Sequence, residues 1–191
     1  DVFFHDHKSF NGGKGRKVIA SDFQYSFDRL TDEKIASPGS WVLNNVKNYS
    51  AENDSTFIIE LNSPFPPFLS LLSMQYCSVL PKEVAENLSF RSDPIGSGPF
   101  KFQFWKEGVK LVLRKNENYF EFEEESRLPY LDAIAVTFIK DKQSEFLNFL
   151  QGNLDFISGI DPSYKDEILT KEGDLNPKYQ DRIIMQSLPF L

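Results

Sequence analysis

Two histidines two residues apart, His5 and His7 in "FHDH", are the first side chains whose types and spacing suit chemistry. On a strand, alternate residues share a face, so both imidazoles can meet one metal ion. A metal site needs further ligands, and the chain has no other histidine, so an exposed strand end is the simpler expectation. The acidic run "EFEEES", Glu121 to Ser126, offers carboxylates to a hard cation. It lacks the alternating Asp/Asn spacing and the turn glycine of a calcium loop, and reads as a solvated loop. Gly96-Ser97-Gly98, in "IGSGPF", invites a phosphate-loop reading, but no Lys-Ser/Thr follows and the next element is a strand. Ser97 as a nucleophile needs a strand, turn and helix with a base in reach, a geometry that Pro99 removes. Glu83 and Glu86 lie at helical spacing and read as an exposed face. No catalytic constellation assembles, and neither a metal nor a cofactor is expected.

The elements that must carry these residues follow from periodicity. "NGGKGRK", Asn11 to Lys17, reads as a mobile solvated loop. "ASDFQYSFDRL" predicts a helix with Ser21 as N-cap and Phe23, Phe27 and Leu30 on one core stripe. A short helix is expected from near Pro38, and a hairpin over Val46 to Leu61 with its turn at Asn53-Asp54. "SPFPPFLSLLSM" predicts a helix whose prolines are tolerated in its first turn. Phe100 to Lys115 alternates as an antiparallel pair with one buried face, turning at Glu107-Gly108, and parity puts Trp105 on the side opposite Phe100, Phe102 and Phe104. Beyond it, "LPYLDAIAVTFI" predicts a strand, "KQSEFLNFLQG" a helix closed by Gly152, "LDFIS" a strand, "DPSYKDEIL" a helix capped by Asp161, and "RIIMQSLPFL" a last strand. From Asp132 to Leu188 this is an α/β succession. A composition break near Asn87 to Pro94 is the candidate domain boundary.

The composition excludes several function classes. With 191 residues, 21 Lys and Arg against 28 Asp and Glu, and a net charge of -7, a nucleic-acid partner is not expected. The single cysteine, Cys77, can form no internal disulfide. No apolar run approaches the roughly 20 residues of a membrane span. The chain opens on "DVFFHDHK" and stops in "RIIMQSLPFL", both apolar runs, which reads as a piece of a longer protein.

The order of the motifs resembles one family along nearly the whole chain: the family-5 extracytoplasmic solute-binding proteins of peptide and nickel ABC importers. The matching stretches include "VFFHD", "ASDFQYSFDRLTD", "ASPGSW", "STFIIELNSPFPPFLSLLS", "VLPKE", "DPIGSGPFKF", "VKLVLRKNENYF", "LPYLDAI" and "QGNLDF". The departures are local: His7 stands where the family usually has Gly, the "NGGKGRK" loop is longer, and Ser97 often corresponds to Thr. The resemblance implies an α/β (mixed α+β) fold, a periplasmic-binding-protein-like lobe with a mixed sheet plus a small extra α+β subdomain. The subdomain would span 1–92, and 93–191 would be part of lobe one, beginning the crossover to a second lobe that is absent.

In such receptors two lobes close over a ligand, and the segment resembling "GSGPF" forms a wall of the cleft. The resemblance thus implies a non-catalytic binder of peptides or a similar small solute, monomeric, delivering its ligand to ABC permease subunits. It implies a periplasmic or membrane-anchored extracytoplasmic location. Candidate ligand contacts are Trp41, Gly96, Ser97 and Gly98. For Gly96 and Gly98 a tight turn and a ligand wall are both open readings. Trp41 is either a ligand-packing indole or a core residue, and Trp105 is read as packing. Two other classes stay in view: a metal-dependent hydrolase using His5, His7 and the acidic loop, and an interaction module suggested by 19 Phe on an acidic chain. The ligand's identity, which in this family ranges over peptides, nickel chelates, opines and sugars, is not fixed by fold.

Overall fold

The computed structural model describes residues 1–86 and 90–186. The chain divides into two compact units, Asp1–Val136 and Thr137–Leu191. Compactness is a different criterion from the subdomain boundary expected near residue 92, part of which lies outside the described residues.

In the first unit, helix α1 (Ala20–Thr31) packs on the hairpin of β1 (Val46–Asn53) and β2 (Thr56–Leu61). The register puts Tyr49 opposite Ile59 and Ala51 opposite Phe57. Phe27 meets Tyr49 and Phe57 edge-on, with ring centroids 5.3 Å away in each case, the arrangement that ring quadrupoles favour. Phe27, Leu30, Val42, Leu43 and Cys77 form the buried centre. Phe23, expected in the same stripe, is exposed at its margin and touches only the edge of the cluster through Phe57. The start of α1 also differs from expectation. Its N-cap is Ile19, whose N–H donates to the Asp22 carboxylate at 2.9 Å. An acid at the third helical position has taken the role assigned to the hydroxyl of Ser21. The tip of the hairpin closes the same end, Ala20 N donating to Asp54 O at 2.9 Å.

Arg16 lies in the stretch expected to be a mobile loop, and it is instead a junction. Its guanidinium donates to Asp22 through Nη1 and Nη2 at 2.9 and 2.7 Å, to Glu83 through Nε and Nη2 at 2.6 and 2.8 Å, and to Lys17 O at 3.1 Å. That engages every N–H the group has. Its planar face lies 5.3 Å from the Phe4 ring centroid, and Lys17 bridges to Phe3. Glu83 stands on helix α3 (Lys82–Ala85), which follows α2 (Phe68–Leu72), so Glu83 is more than part of a solvated face. Phe4, Phe10, Val84 and Ile95 form the second buried cluster below this junction.

Strands β3 (Phe100–Lys106) and β4 (Lys110–Lys115) pair antiparallel as expected, but not with a clean alternation. Phe102 opposes Leu113 and Phe104 opposes Val112, so Gln103 is an extra residue, a β-bulge. Past the bulge the parity flips: Trp105 opposes Leu111 and joins the Phe100, Phe102, Leu113 side, while Phe104 moves to the other face and is exposed. The expected placement of Trp105 opposite Phe100 and Phe102 is therefore reversed, and neither face of the pair is fully buried. The acidic run folds into a minimal hairpin, β5 (Phe122–Glu123) and β6 (Ser126–Arg127), turning with Glu124 at φ 52°. Strand β7 (Ala133–Thr137) adds to β4, giving the sheet order β3-β4-β7.

In the second unit, α4 (Lys142–Leu150) is capped by Asp141, which accepts from Ser144 N at 2.8 Å, and its end passes through Gly152 at φ 77°. Asp161 accepts from Ser163 N at 2.9 Å ahead of α5 (Lys165–Ile168). Phe146, Ile168 and Tyr179 form the core. The stretch "LDFIS" is not a strand, and neither is 182–186. The rest of the expected closing strand lies outside the described residues. The α/β succession therefore loses its middle strand, and the chain is mixed α+β with small sheets. Leu154 to Ser158 has apolar residues but no partner strand to pair with among the described residues.

Breaking the Arg16 junction leaves Asp22, 2% exposed, as an uncompensated buried charge. Arg16→Met is expected to cost about 3–5 kcal/mol in urea denaturation, and Arg16→Lys to recover only part, because an ammonium lacks the fork. A loss for Arg16→Met within about 0.5 kcal/mol, the range of an ordinary surface change, would remove the junction from this role. Hydrogen bonds from Arg16 hold the Glu83 carboxyl below its ordinary value of 4.5. Its contribution is therefore present above that value and lost as pH falls through the lower native one. Glu83→Gln should flatten that part of the acid limb. Its cost at neutral pH should be about 1 kcal/mol or less, since the side chain is partly solvated.

Candidate functional site

The corner Asp93 to Pro99 is held from two directions. From the N-terminal segment, His5 N donates to Gly96 O at 2.8 Å, and the His5 ring Nε2 lies 2.9 Å from Gly98 O. A carbonyl only accepts, so Nε2 carries the proton. His7 Nε2 lies 3.0 Å from the Asp93 carboxylate, and Ser9 N donates to its Nδ1. From the sheet, Asn116, directly after β4, donates Nδ2–H to Gly98 O at 3.0 Å and its backbone N–H to Pro99 O at 2.8 Å. Its own Oδ1 accepts from Asn118 N, which fixes the amide orientation.

These contacts overturn the exposed-strand-end reading of the histidines. His5 is 7% exposed, and the two rings turn to separate partners, Gly98 O and Asp93, instead of converging on one point. Among the described residues, no group of three His, Cys, Asp or Glu is arranged to hold a metal ion. Burial lowers the His5 pKa from its ordinary 6.5; the hydrogen bond to Gly98 opposes that, Lys101 adds to it and Asp6 opposes it.

The corner lines a cleft of about 530 Å³ within the first unit. Gly96, Ser97 and Gly98 form one wall with His5, Ser78 to Leu80 form another part of the lining, and Phe100, Phe102 and Leu113 of the β3–β4 sheet form its floor. The corner's acceptors Gly96 O, Gly98 O and Pro99 O are turned to His5 and Asn116. Among the described residues, the N–H groups of Gly96, Ser97 and Gly98 and the Ser97 hydroxyl make no hydrogen bond. Ser97 O likewise makes no hydrogen bond among the described residues, so over Gly96 to Gly98 the wall has three spare backbone donors against one spare backbone acceptor.

Neither glycine is demanded by the turn itself. Gly96 and Gly98 are not in the left-handed region. A Cβ on Gly98 would meet nothing within 4 Å, and one on Gly96 only Gly98 N and the His5 ring at 4.0 Å. A tight turn here thus needs no left-handed glycine at either position.

Trp41 sits on a short 3-10 helix, Ser40–Leu43, and is 46% exposed, so it is not a core tryptophan. Gly39 explains its placement: a Cβ there would lie 2.3 Å from the Tyr76 ring, so the turn packs against Tyr76 and carries the indole outward. Trp41 does not line the cleft at Gly96 to Gly98. The structure brings together Gly96, Ser97 and Gly98 and leaves Trp41 apart. The sequence singled out His5 only as a metal ligand and did not single out Asn116, although an Asn just past a strand end was visible.

The family model for bacterial extracellular solute-binding proteins, family 5 Middle, matches residues 1–190. The oligopeptide-binding protein OppA of Bacillus subtilis (strain 168) is 26% identical over 185 residues, covering 85% of this chain and 33% of the relative. Among solved structures, the periplasmic binding protein DppA of Helicobacter pylori, in complex with peptide STSA, superposes with a TM-score of 0.74 at 29% identity over 87% of this chain and 35% of that one. NikZ of Campylobacter jejuni, in complex with Ni(L-His), gives 0.69 at 26% identity over 88% and 32%. The chain thus spans about a third of the length of these relatives.

Because the native state disfavours charged His5, stability should fall as pH drops from above 6.5 through the lower native value, and level off below it. Urea midpoints at about pH 7.5 and about pH 5 in the wild type and in His5→Gln check this, with a smaller difference expected in the variant. Equal differences would assign the pH dependence to other groups.

Proposed function

The chain belongs to the bacterial extracellular solute-binding proteins of family 5, and from that premise we propose that it is part of the substrate-binding component of an ABC importer for peptides. The family is one of solute-binding proteins, and the role is binding, not catalysis. In this reading residues 1–92 are the small subdomain, 93–191 belong to lobe one, and a second lobe closes from elsewhere in a longer receptor. The receptor hands its ligand to permease subunits, acts as a monomer with no nucleic-acid partner, in keeping with its net charge of -7, and works outside the inner membrane, free in the periplasm or anchored. No helix among the described residues is long and apolar enough to cross a membrane.

The observation that carries this reading is the donor-rich wall. Every peptide, whatever its side chains, presents carbonyl acceptors at regular intervals, so backbone N–H groups lining a cleft can hold it without reading its sequence. Gly98 leaves open space where a side chain would stand, which lets a ligand's main chain approach. Trp41 is retained as a second contact, an exposed aromatic able to cover a ligand side chain.

Calorimetry with the tetrapeptide STSA tests the proposal, with Ni(L-His) as the competing ligand class. In the full receptor Gly98→Val should weaken peptide binding by about tenfold or more, while the ligand-free melting temperature stays within about 2 °C, because the backbone there is unstrained. A lowered melting temperature with unchanged affinity would make the corner structural and place the ligand elsewhere. Residues 1–191 alone should bind the peptide only weakly, because a closed site typically covers about 70–90% of its ligand and one wall cannot. Micromolar affinity of this chain would contradict the two-lobe reading.

A further inference from the structure

The cavity of about 600 Å³ beside Phe27 and Cys77 is lined mainly by apolar side chains of the α1 and β1–β2 layer, and of its charged lining residues Asp1 and Lys17 are paired with each other at 2.7 Å. The Arg16 junction is already saturated by its own carboxylates. The groove under Phe120, Phe122 and Arg127 has cations and aromatics but no buried unpaired group to select a ligand. The corner carries more, because its hydrogen bonds have a direction.

We infer that His5 and Asn116 are positioning residues of the ligand wall, a role that rests on the peptide-binding reading above. Both side chains are buried, 7% and 5% exposed, and both place an N–H within 2.9–3.0 Å of the same atom, Gly98 O. One carbonyl held by two donors from separate elements, the N-terminal segment and the end of β4, has its plane fixed, and the peptide unit from Gly98 to Pro99 with it. His5 N on Gly96 O and Asn116 N on Pro99 O repeat the arrangement on either side.

The physical need for such clamping follows from the sequence of the corner. Two glycines without φ constraint or packing constraint give a segment with high conformational entropy. Left free, that segment would lose its freedom on binding, and the loss would weaken affinity. Prepaid by four hydrogen bonds to buried partners, it meets the ligand already ordered. Sorting is a second consequence. With Gly96 O and Gly98 O drawn back to His5 and Asn116 and Ser97 O the one remaining carbonyl of the three, the corner offers a ligand more donors than acceptors, so it favours acceptors such as peptide carbonyls or a carboxylate over a ligand's ammonium group.

Backbone 15N relaxation on the 191-residue chain tests the clamp without any ligand. Wild-type amides of Gly96, Ser97 and Gly98 should show order parameters near 0.85, as in rigid backbone, and His5→Leu combined with Asn116→Ala should take them below about 0.6. His5→Gln, which keeps an N–H able to reach Gly98 O, should restore most of the order in the presence of native Asn116. A variant that only loses global stability would lower the melting temperature without this selective change and without rescue. Calorimetry of the full receptor with STSA is the second arm, where His5→Leu should weaken binding about tenfold and His5→Gln much less. A mobile corner in the double variant with no STSA binding by wild type would keep the clamp and overturn the peptide reading. Unchanged order parameters in the double variant would overturn the clamp, whatever the binding arm shows.

Discussion

Arg16 between Asp22 and Glu83 is the contact on which the first unit hangs. A buried ion pair is a poor source of net stability compared with apolar packing, but an expensive one to leave half made. Its value is therefore specificity: only one arrangement of the N-terminal segment, the start of α1 and the short α3 satisfies every donor. The approach that makes it possible is narrow. At Gly15 an added Cβ would sit 1.8 Å from Phe4 O, so only glycine lets the chain run past Phe4 and deliver the guanidinium beyond it. Asp22 then serves twice, holding Arg16 and receiving Ile19 N at the head of the helix.

The corner at Gly96 to Gly98 inherits its position from that segment. His5 lies directly after Phe4, in the stretch that Arg16 pins by stacking and that Arg16 O pins by accepting Phe4 N at 3.0 Å. A saturated, charged junction and a glycine-bearing corner are thus joined through a few residues of the N-terminal segment, and two side chains, His5 and Asn116, hold a segment whose own glycines impose little order.

Much of this was legible in the sequence. Period-3.6 and period-2 patterns located α1, the two hairpins and α4, and residue type located the cap at Asp161 and the helix end at Gly152, because local hydrogen-bond chemistry and backbone freedom decide them. The motif order gave the family, and the comparisons show it. What stayed hidden depends on long-range partners. Nothing near "NGGKGRK" announces that Arg16 will find a carboxylate 67 residues away, and a strand-end histidine looks solvated until Gly98 arrives 93 residues later. Asp22 outcompeted Ser21 as the capping group because its carboxylate was already being held in place by Arg16. "LDFIS" had strand composition but no edge to join. The φ of a glycine cannot be read from its neighbours, and at Gly96 and Gly98 it lies outside the left-handed region.

The extra residue at Gln103 has a meaning for how this hairpin can change in length. Pairing on either side of the bulge is already in step, with Phe102 against Leu113 and Phe104 against Val112. Excising Gln103 would close the ladder without moving any other pair, and Trp105 would keep its side; the loss would be one hydrogen bond, to Arg114, and some local twist. Excising Phe104 instead would bring Gln103 opposite Val112 and also leave Trp105 on its side, with the loss of an aromatic ring. The bulge can therefore absorb one deletion in β3, and a gap placed at Gln103 would be a change in the strand's curvature, while the cleft floor stayed the same.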